Sequence, residues 1–303
     1  MLAIIESPYQ LQNSLSLFDT LGIKNKDRKI LVRDNGNKIQ QKQYMLNKLN
    51  ADVMFFYLPA RGIKKVPLLM YFYFKCFYLL LSAKSLIIGD ARSIVCRPLI
   101  KLSKYFNKTI YLVDDGLYLL SHVSKLEKVN CTIYTSLPIV KNKDSSFDVL
   151  KKEIAKFSNY ERNKSVSFIG QHLVELGFIS EDEYIFELKK IIDLYKGEYI
   201  NFNYYMHRSE SQSKIKQVEL AGFNVISLPT SIESYFYENK APQGIFISFY
   251  STALLNIFNA HKGSDFYFIS KLFTLPSDEV INSIGICHNV MKLAGICELE
   301  VQE

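Results

Sequence analysis

The sequence lacks the motifs that mark several large enzyme classes. No G-x-G-x-x-G follows the first apolar run and no G-x-x-x-x-G-K-[ST] occurs, which disfavours dinucleotide and P-loop chemistry. G-x-S-x-G is also absent, so a serine hydrolase has no support. The histidines show no H-x-x-x-H or His/Cys spacing typical of a metal site. We therefore expect no metal ion and no cofactor.

Cysteine is scarce and tryptophan is missing. The chain has five cysteines and no C-x-x-C pair. An odd number of cysteines in mostly apolar contexts indicates neither a disulfide framework nor a zinc site, and favours a reducing cytoplasm. The opening MLAIIESPYQ has no basic start and too short an apolar run for a signal peptide. No Lys/Arg run is dense enough to predict binding to nucleic acid.

What is present is typical of a folded protein with two domains. The 303 residues are 48% hydrophobic and 22% charged. The net charge of +7 favours anionic partners such as a nucleotide, an anionic glycan or a lipid head group.

One apolar segment is unusually long. Pro67 to Ala83 is interrupted by Lys75 and preceded by Arg61, Lys64 and Lys65. It is slightly short for a spanning helix and carries a charge near its middle. The pattern fits best a helix buried between a sheet and its neighbours. A basic-flanked helix lying on the inner face of the cytoplasmic membrane, or a true span, stays open.

Short β-rich apolar runs alternate with longer helical stretches, a pattern that predicts parallel sheets in two α/β halves. The predicted strands of the first half are 2–6, 29–32, 53–57, 85–88, 109–113 and 131–134, with helices at 10–21, 38–49, 68–83 and 94–105. The predicted strands of the second half are 166–170, 199–206, 224–228, 244–249 and 265–269, with helices at 181–195 and 211–221, from Ser231, from Thr252 and at the end.

A polar, charged stretch separates the two halves. Lys141 to Lys164 contains Asp, Ser and Lys clusters around a modest amphipathic helix, and we place the domain crossing there. The expected architecture is two doubly wound Rossmann-like domains, residues 1–155 and 156–303, facing a central cleft.

Three polar motifs follow predicted strands, where open α/β sheets place ligand-handling groups. The first is Asp114-Asp115-Gly116, directly after TIYLV. One carboxylate could deprotonate a sugar hydroxyl as it attacks. An ordinary turn capped by Asp explains the same residues, and both interpretations stay open.

The second and third motifs suit an anion. His207-Arg208 follows NFNYYM; a buried core histidine is the alternative, but the neighbouring arginine favours an anion site. Ser251-Thr252 follows GIFISFY and precedes ALLNIFNA. Its hydroxyls can cap a helix whose first N–H groups are then available to a phosphate.

Two smaller features point the same way. Gly170-Gln171 ends the first strand of the second half and should lie at the same edge of the sheet. Glu233, in LPTSIESYF, suits a ribose, although an acidic residue at the start of a helix is also ordinary.

The ordered set, D-D-G then His then Ser-Thr, resembles bacterial sialyltransferases. Those enzymes share a D/E-D/E-G motif, a His-Pro motif and a Ser-Ser/Thr motif. The segments SPYQLQNS and FIGQHLVE are most similar to glycosyltransferase family 52, the lipooligosaccharide and capsule sialyltransferases. Bacterial polysialyltransferases are more distantly similar by the same motifs. The resemblance spans Ser7 to about Phe258, and Arg208 stands where the family has proline.

The resemblance implies a two-domain GT-B fold and inverting, metal-independent transfer from CMP-sialic acid. It implies an acceptor-side domain at 1–155 and a CMP-sugar domain at 156–303. Asp114 or Asp115 would be the general base, and His207 would stabilise or protonate the departing phosphate. Ser251 and Thr252 would contact that phosphate. The resemblance further implies that Glu233 holds the ribose, with Gly170, Gln171 and Arg208 also on the donor side.

We expect a galactose-terminated lipooligosaccharide or capsular glycan as the acceptor. Asp182 or a neighbouring Glu, in ISEDEY, stays open as a competing base. Another nucleotide sugar such as a UDP-hexose, or an inactive nucleotide-binding subunit of a glycan-assembly complex, is the alternative. Peripheral membrane contact through residues 61–84 and a homodimer are left open.

Overall fold

The chain divides into two compact units. The structure, a computed structural model, describes residues 1–34, 45, 53–59, 65–91, 93–114, 116, 119, 130–139, 144–154, 156–261, 263–270 and 277–300. One unit comprises Met1–Asp115 and His122–Glu153; the other comprises Gly116–Ser121 and Ile154–Glu303. Each unit is built on its own parallel sheet.

The described strands of the first unit form a seven-stranded parallel sheet in the order β3-β2-β1-β4-β5-β6-β7. The strands are β1 (Leu2–Ile5), β2 (Lys29–Asp34), β3 (Val53–Tyr57), β4 (Ser85–Ile88), β5 (Thr109–Val113), β6 (Thr132–Thr135) and β7 (Asp148–Lys151). The described helices are α1 (Pro8–Thr20), α2 (Lys65–Ser82) and α3 (Cys96–Tyr105). The central strands are buried on both faces, which is why they read as continuous apolar runs.

The second unit has a six-stranded parallel sheet in the order β10-β9-β8-β11-β12-β13. Its strands are β8 (Tyr160–Ile169), β9 (Phe202–Tyr205), β10 (Asn224–Ile226), β11 (Ala241–Ser248), β12 (Asp265–Phe268) and β13 (Cys297–Glu298). Its described helices are α4 (Glu181–Tyr195), α5 (Gln212–Leu220), α6 (Ile232–Glu238), α7 (Thr252–Ala260) and α8 (Asp278–Ala294). Strand order reverses between β8 and β11, the switch point at which doubly wound sheets bind ligands.

Serine fixes where the helices of the second unit begin. Each of the five helices described there follows a serine whose hydroxyl accepts a hydrogen bond from a first-turn N–H group. At α4 the cap is reciprocal, because Glu183 also accepts from the N–H of Ser180. Such caps contribute about 1 kcal/mol each.

The α/β class and the alternation of strands and helices are confirmed, with one correction at the domain crossing and one at the end. The amphipathic helix expected between Lys141 and Lys164 is wrong: the described part contains edge strand β7 and the start of β8. The final segment adds the short strand β13 after α8. The helix predicted at 38–49 lies outside the described residues, apart from Met45.

The long apolar segment forms α2, but it is not buried all round. Phe72, Cys76 and Leu80 on one side are at most 1% exposed, whereas Met70 and Phe74 on the other are 70% and 68% exposed. The expectation of a helix enclosed by neighbours is therefore wrong for its outer face. Among the described residues, no helix meets the length and hydrophobicity needed to cross a membrane.

Candidate functional site

Three of the predicted motifs lie at one edge of the second sheet. His207 follows β9, Gly170-Gln171 follows β8, and Ser251-Thr252 follows β11. These strands are neighbours in the order β9-β8-β11 and run parallel, so their carboxyl ends meet at the same edge. Gly170 and Ser251 flank the switch point of the sheet.

A buried carboxylate, Glu210, supports the His207 loop. Its side chain accepts hydrogen bonds from the backbone N–H of His207 at 2.6 Å, the hydroxyl of Tyr204 at 2.5 Å and the ammonium of Lys214 at 2.6 Å. The residue is only 7% exposed. Three donors to one buried carboxylate fix the backbone at His207.

Lys214 connects this loop to the neighbouring one. Its fully buried ammonium donates to Glu210 and, at 2.7 Å, to the backbone carbonyl of Gln171, and it lies 3.6 Å from the ring centroid of Tyr184. Burial opposes both charges of the pair: it lowers the pKa of Lys214 and raises the pKa of Glu210. Their mutual attraction opposes these shifts.

Gln171 extends the same network to the third loop. Its side-chain oxygen accepts from the hydroxyl of Ser248 and from the backbone N–H of Tyr250, both at 3.1 Å. Tyr250 directly precedes Ser251, the capping residue of α7. A continuous chain of hydrogen bonds therefore joins the loops after β9, β8 and β11.

Gly170 lies where a side chain does not fit. A Cβ there would lie 2.7 Å from the Tyr204 hydroxyl and 2.8 Å from a Glu210 oxygen. Tyr204 has little freedom to move, because its buried ring stacks on Phe168 at 5.6 Å and 8°.

We expect Gly170→Ala to lower the free energy of unfolding by about 1–3 kcal/mol, because the methyl group overpacks a fixed network. Gly197→Ala is the matched control, since a Cβ added at Gly197 would meet no atom within 4 Å. Urea denaturation of both variants measures the difference. Equal stability of the two would contradict this view of the loop.

His207 is held as a neutral imidazole. Its ring stacks on that of His172, with centroids 4.4 Å apart and planes at 13°. Burial, followed by the nearby His172, Arg208 and Lys214, lowers the pKa of His207 to about 4. Its Nδ1 accepts from the backbone N–H of Ser209 at 3.2 Å, so the neutral ring carries its proton on Nε2. The site thus presents a neutral N–H donor.

The lowered pKa of His207 makes folding depend on pH. An unfolded chain has a histidine pKa near the ordinary value of 6.5, so between pH 6.5 and 4 the unfolded state binds more protons. The contribution of neutral His207 to the free energy of unfolding is fully present above pH 6.5 and is lost as the pH falls towards 4. Between pH 7.5 and 5.0 we expect the wild type to lose about 2 kcal/mol more than His207→Gln in urea denaturation. Equal losses in the two proteins would contradict the lowered pKa of His207.

Ser251 and Thr252 start α7, and Gly116 lies against them. Ser251 Oγ accepts from the N–H of Ala253 at 3.2 Å, so the hydroxyl caps the helix. Gly116 belongs to the same unit and has φ of +98°, and a Cβ there would lie 2.7 Å from Thr252 Oγ1. Positive φ and this close approach both require glycine at the third position of the D-D-G motif.

The remaining candidates on the second unit are spread around this edge. Glu233, in the first turn of α6, accepts from the side-chain amide of Asn256 on α7 at 3.0 Å. Arg208 is exposed beside His207, and Asp182 is exposed in the first turn of α4. Because Asn256 already bonds one oxygen of Glu233, this carboxylate has a fixed position.

Asp114 lies in the first unit and is fully buried. One carboxylate oxygen accepts from the hydroxyl of Thr135 at 2.7 Å, and its backbone carbonyl accepts from the Asn13 amide at 2.8 Å. These bonds hold the carboxylate at the carboxyl end of β5. Asp115 lies outside the described residues.

Sequence reasoning missed His172, Glu210 and Lys214. The Glu210 and Lys214 pair has the i, i+4 spacing that normally indicates an exposed ion pair on a helix. Both residues are nevertheless buried, and Lys214 bonds the backbone carbonyl of Gln171, which is 43 residues away in the sequence. No local sequence pattern shows such a contact. His172 was visible only as a histidine two residues after Gly170.

Comparison with known proteins identifies the fold. No protein-family model matches the chain, and no curated protein matches it. A solved α/β-galactoside α-2,3-sialyltransferase from the luminous marine bacterium Photobacterium phosphoreum is similar, with a TM-score of 0.56 and 10% identity over 98% of this chain and 97% of that one. UGT2 of Phytolacca americana, solved with UDP-2-fluoro-glucose and pterostilbene, is also similar. Its TM-score is 0.57, with 12% identity over 100% of this chain and 85% of that one.

MurG of Acinetobacter baumannii gives a TM-score of 0.52 and 10% identity over 98% of this chain and 85% of that one. Two Rossmann-like units with parallel sheets, and these similar structures, define the GT-B glycosyltransferase fold. The predicted fold is therefore confirmed. The similar structures are glycosyltransferases, and bacterial sialyltransferases are among them.

Proposed function

We propose that this chain is an inverting, metal-independent sialyltransferase of the family 52 type. It would move sialic acid from CMP-sialic acid to a galactose-terminated lipooligosaccharide or capsular glycan. The observation that carries the proposal is the hydrogen-bonded edge of the second sheet, where His207 and the start of α7 are tied together through Glu210, Lys214 and Gln171.

This edge suits a nucleotide phosphate. The first turn of α7 offers backbone N–H groups and the positive end of the helix dipole. His207 offers a neutral Nε2–H donor, which can stabilise negative charge without giving up its proton. The exposed guanidinium of Arg208 adds a positive charge where the sialyltransferase motif has proline.

The reaction needs a base as well as a leaving-group site. The acceptor oxygen attacks the anomeric carbon, the bond from that carbon to the phosphate oxygen of CMP breaks, and the acceptor proton passes to a carboxylate. Asp114 and Asp115 are the proposed bases, with Asp182 as the rival. Glu233 is proposed to hold the ribose of the donor.

A UDP-sugar donor is the second candidate, because UGT2 of the same fold was solved with a UDP-sugar analogue. Calorimetric titration of CMP and UDP into the wild type separates the two. We expect CMP to bind about tenfold more tightly or better. Tighter UDP binding would replace the proposed donor with a UDP-hexose. Binding of CMP without turnover on any acceptor would favour the other alternative, an inactive nucleotide-binding subunit of a glycan-assembly complex.

The titration also tests the location of the phosphate. Ser251→Gly removes the hydroxyl while keeping a residue tolerated as a helix cap, and Thr252→Val keeps the side-chain shape. Each should weaken CMP binding about tenfold. Ser277→Gly, at the equivalent cap of α8, is the matched control and should leave the CMP affinity unchanged. Equal effects at both caps would contradict the proposed location.

A further inference from the structure

The outer face of α2 is an exposed apolar stripe. Val66, Met70, Phe74 and Tyr78 follow one another at i, i+4 spacing and are 64–70% exposed. Tyr71, Phe77 and Leu81 widen the stripe. Residues spaced by four lie on one side of a helix, so these side chains share a surface. Exposed apolar side chains that adjoin one another on a folded protein mark an interaction site.

The neighbouring helix α3 carries basic side chains on its outer face. The two helices are in contact: Tyr73 donates to the backbone carbonyl of Val95 at 3.2 Å, and the rings of Phe77 and Phe106 are 6.0 Å apart. Exposed on α3 are Arg97, Lys101, Lys104 and Tyr105. We call the exposed residues of both helices the α2–α3 surface.

The stretch of sequence that contains this surface is strongly basic. Residues 53–113 contain ten Lys and Arg and one acidic residue, Asp90. The net charge of this stretch therefore exceeds the +7 of the whole chain. Lys75 lies within α2, and Lys84 follows its end by two residues. Long lysine side chains can extend past apolar neighbours so that the ammonium group reaches a polar boundary.

We propose that the α2–α3 surface lies on an anionic lipid bilayer, with α2 in the plane of the interface. Its apolar and tyrosine side chains would enter the boundary between head groups and acyl chains, and the basic residues of α3 would meet anionic head groups. A helix with an aromatic face and basic neighbours combines both attractions.

Charge favours this occupant over a second copy of the chain. A symmetric dimer through the α2–α3 surface would place the same basic patch on both partners, and like charges across an interface repel. An anionic bilayer instead complements the charge and accepts the apolar stripe. The inference is independent of the proposed sugar donor, because its readout is lipid binding and not turnover.

The test is flotation of the purified full chain with vesicles of phosphatidylcholine and phosphatidylglycerol, and with phosphatidylcholine alone. We expect strong flotation with the mixed vesicles and weak flotation with phosphatidylcholine. Phe74→Ser/Tyr78→Ser should lower the partition coefficient by about tenfold or more. Lys101→Gln/Lys104→Gln should lower it by about twentyfold on mixed vesicles only.

Ile200→Ser/Leu293→Ser is the matched control, because both side chains are apolar and more than 80% exposed but lie in the second unit. It should float as the wild type does. Thermal midpoints confirm that the variants are folded. Absence of wild-type flotation overturns the proposal, as does equal binding by all variants. Dimerisation in sedimentation that only Phe74→Ser/Tyr78→Ser abolishes, without flotation, would assign the surface to a second copy.

Discussion

Lys214→Met is expected to lower the free energy of unfolding by about 3–5 kcal/mol, because it leaves the buried carboxylate of Glu210 without its cation. The ammonium is fully buried and bonds both Glu210 and the backbone carbonyl of Gln171. Methionine retains the length of the side chain but none of these bonds. Urea denaturation at pH 7.5 measures the loss.

Lys216→Met is the matched control, since this lysine lies on the same helix and is exposed. Its change should stay within about 0.5 kcal/mol. The double variant Lys214→Met/Glu210→Gln should recover part of the loss, because no unpaired charge is then buried. If Lys214→Met is as stable as Lys216→Met, the network does not hold the three loops together as described.

His207→Ala is expected to lower kcat for transfer from CMP-sialic acid by about 10²–10³-fold, the usual effect of removing one donor to a developing oxyanion. The imidazole is neutral, with its proton on Nε2, so its proposed role is hydrogen bonding to the departing phosphate. His207→Gln retains an N–H donor and should keep activity within about tenfold of the wild type.

The two variants distinguish hydrogen bonding from proton transfer. Glutamine cannot act as an acid, so a loss in His207→Gln equal to that in His207→Ala would contradict the neutral-donor role and favour proton donation. CMP affinity and thermal midpoints measured alongside show whether folding or binding explains a loss. Unchanged turnover in His207→Ala would remove this residue from the chemistry.

Strand ends were the most predictable part of the site, for a physical reason. Central parallel strands are buried on both faces and read as apolar runs, so the first polar residue after each run marks the carboxyl edge. His207, Gln171 and Ser251 were predicted at strand ends in this way, and each follows a strand in the structure. That they share one edge follows from strand order, which the alternation of elements indicated but did not specify.

The missed features depend on long-range packing. Strand β7 is an edge strand with Asp148 and Val149 exposed, and charged edge strands do not show the pattern of buried ones. Glu210 and Lys214 have the spacing of a solvent-facing pair. Their burial depends on contacts with residues distant in the sequence, such as those of Lys214 with Gln171 and Tyr184. The apolar segment around α2 predicted a helix, but hydrophobicity alone does not tell which face is covered.

Transfer of sialic acid from a CMP-linked donor is the proposed activity of this chain. Release of CMP from CMP-sialic acid by the wild type should be measured with and without lactose as acceptor. We expect release that depends on lactose and needs no added metal, together with loss of activity when the base among Asp114, Asp115 and Asp182 is changed to alanine. Absence of CMP release alongside sugar transfer from a UDP-hexose would contradict it.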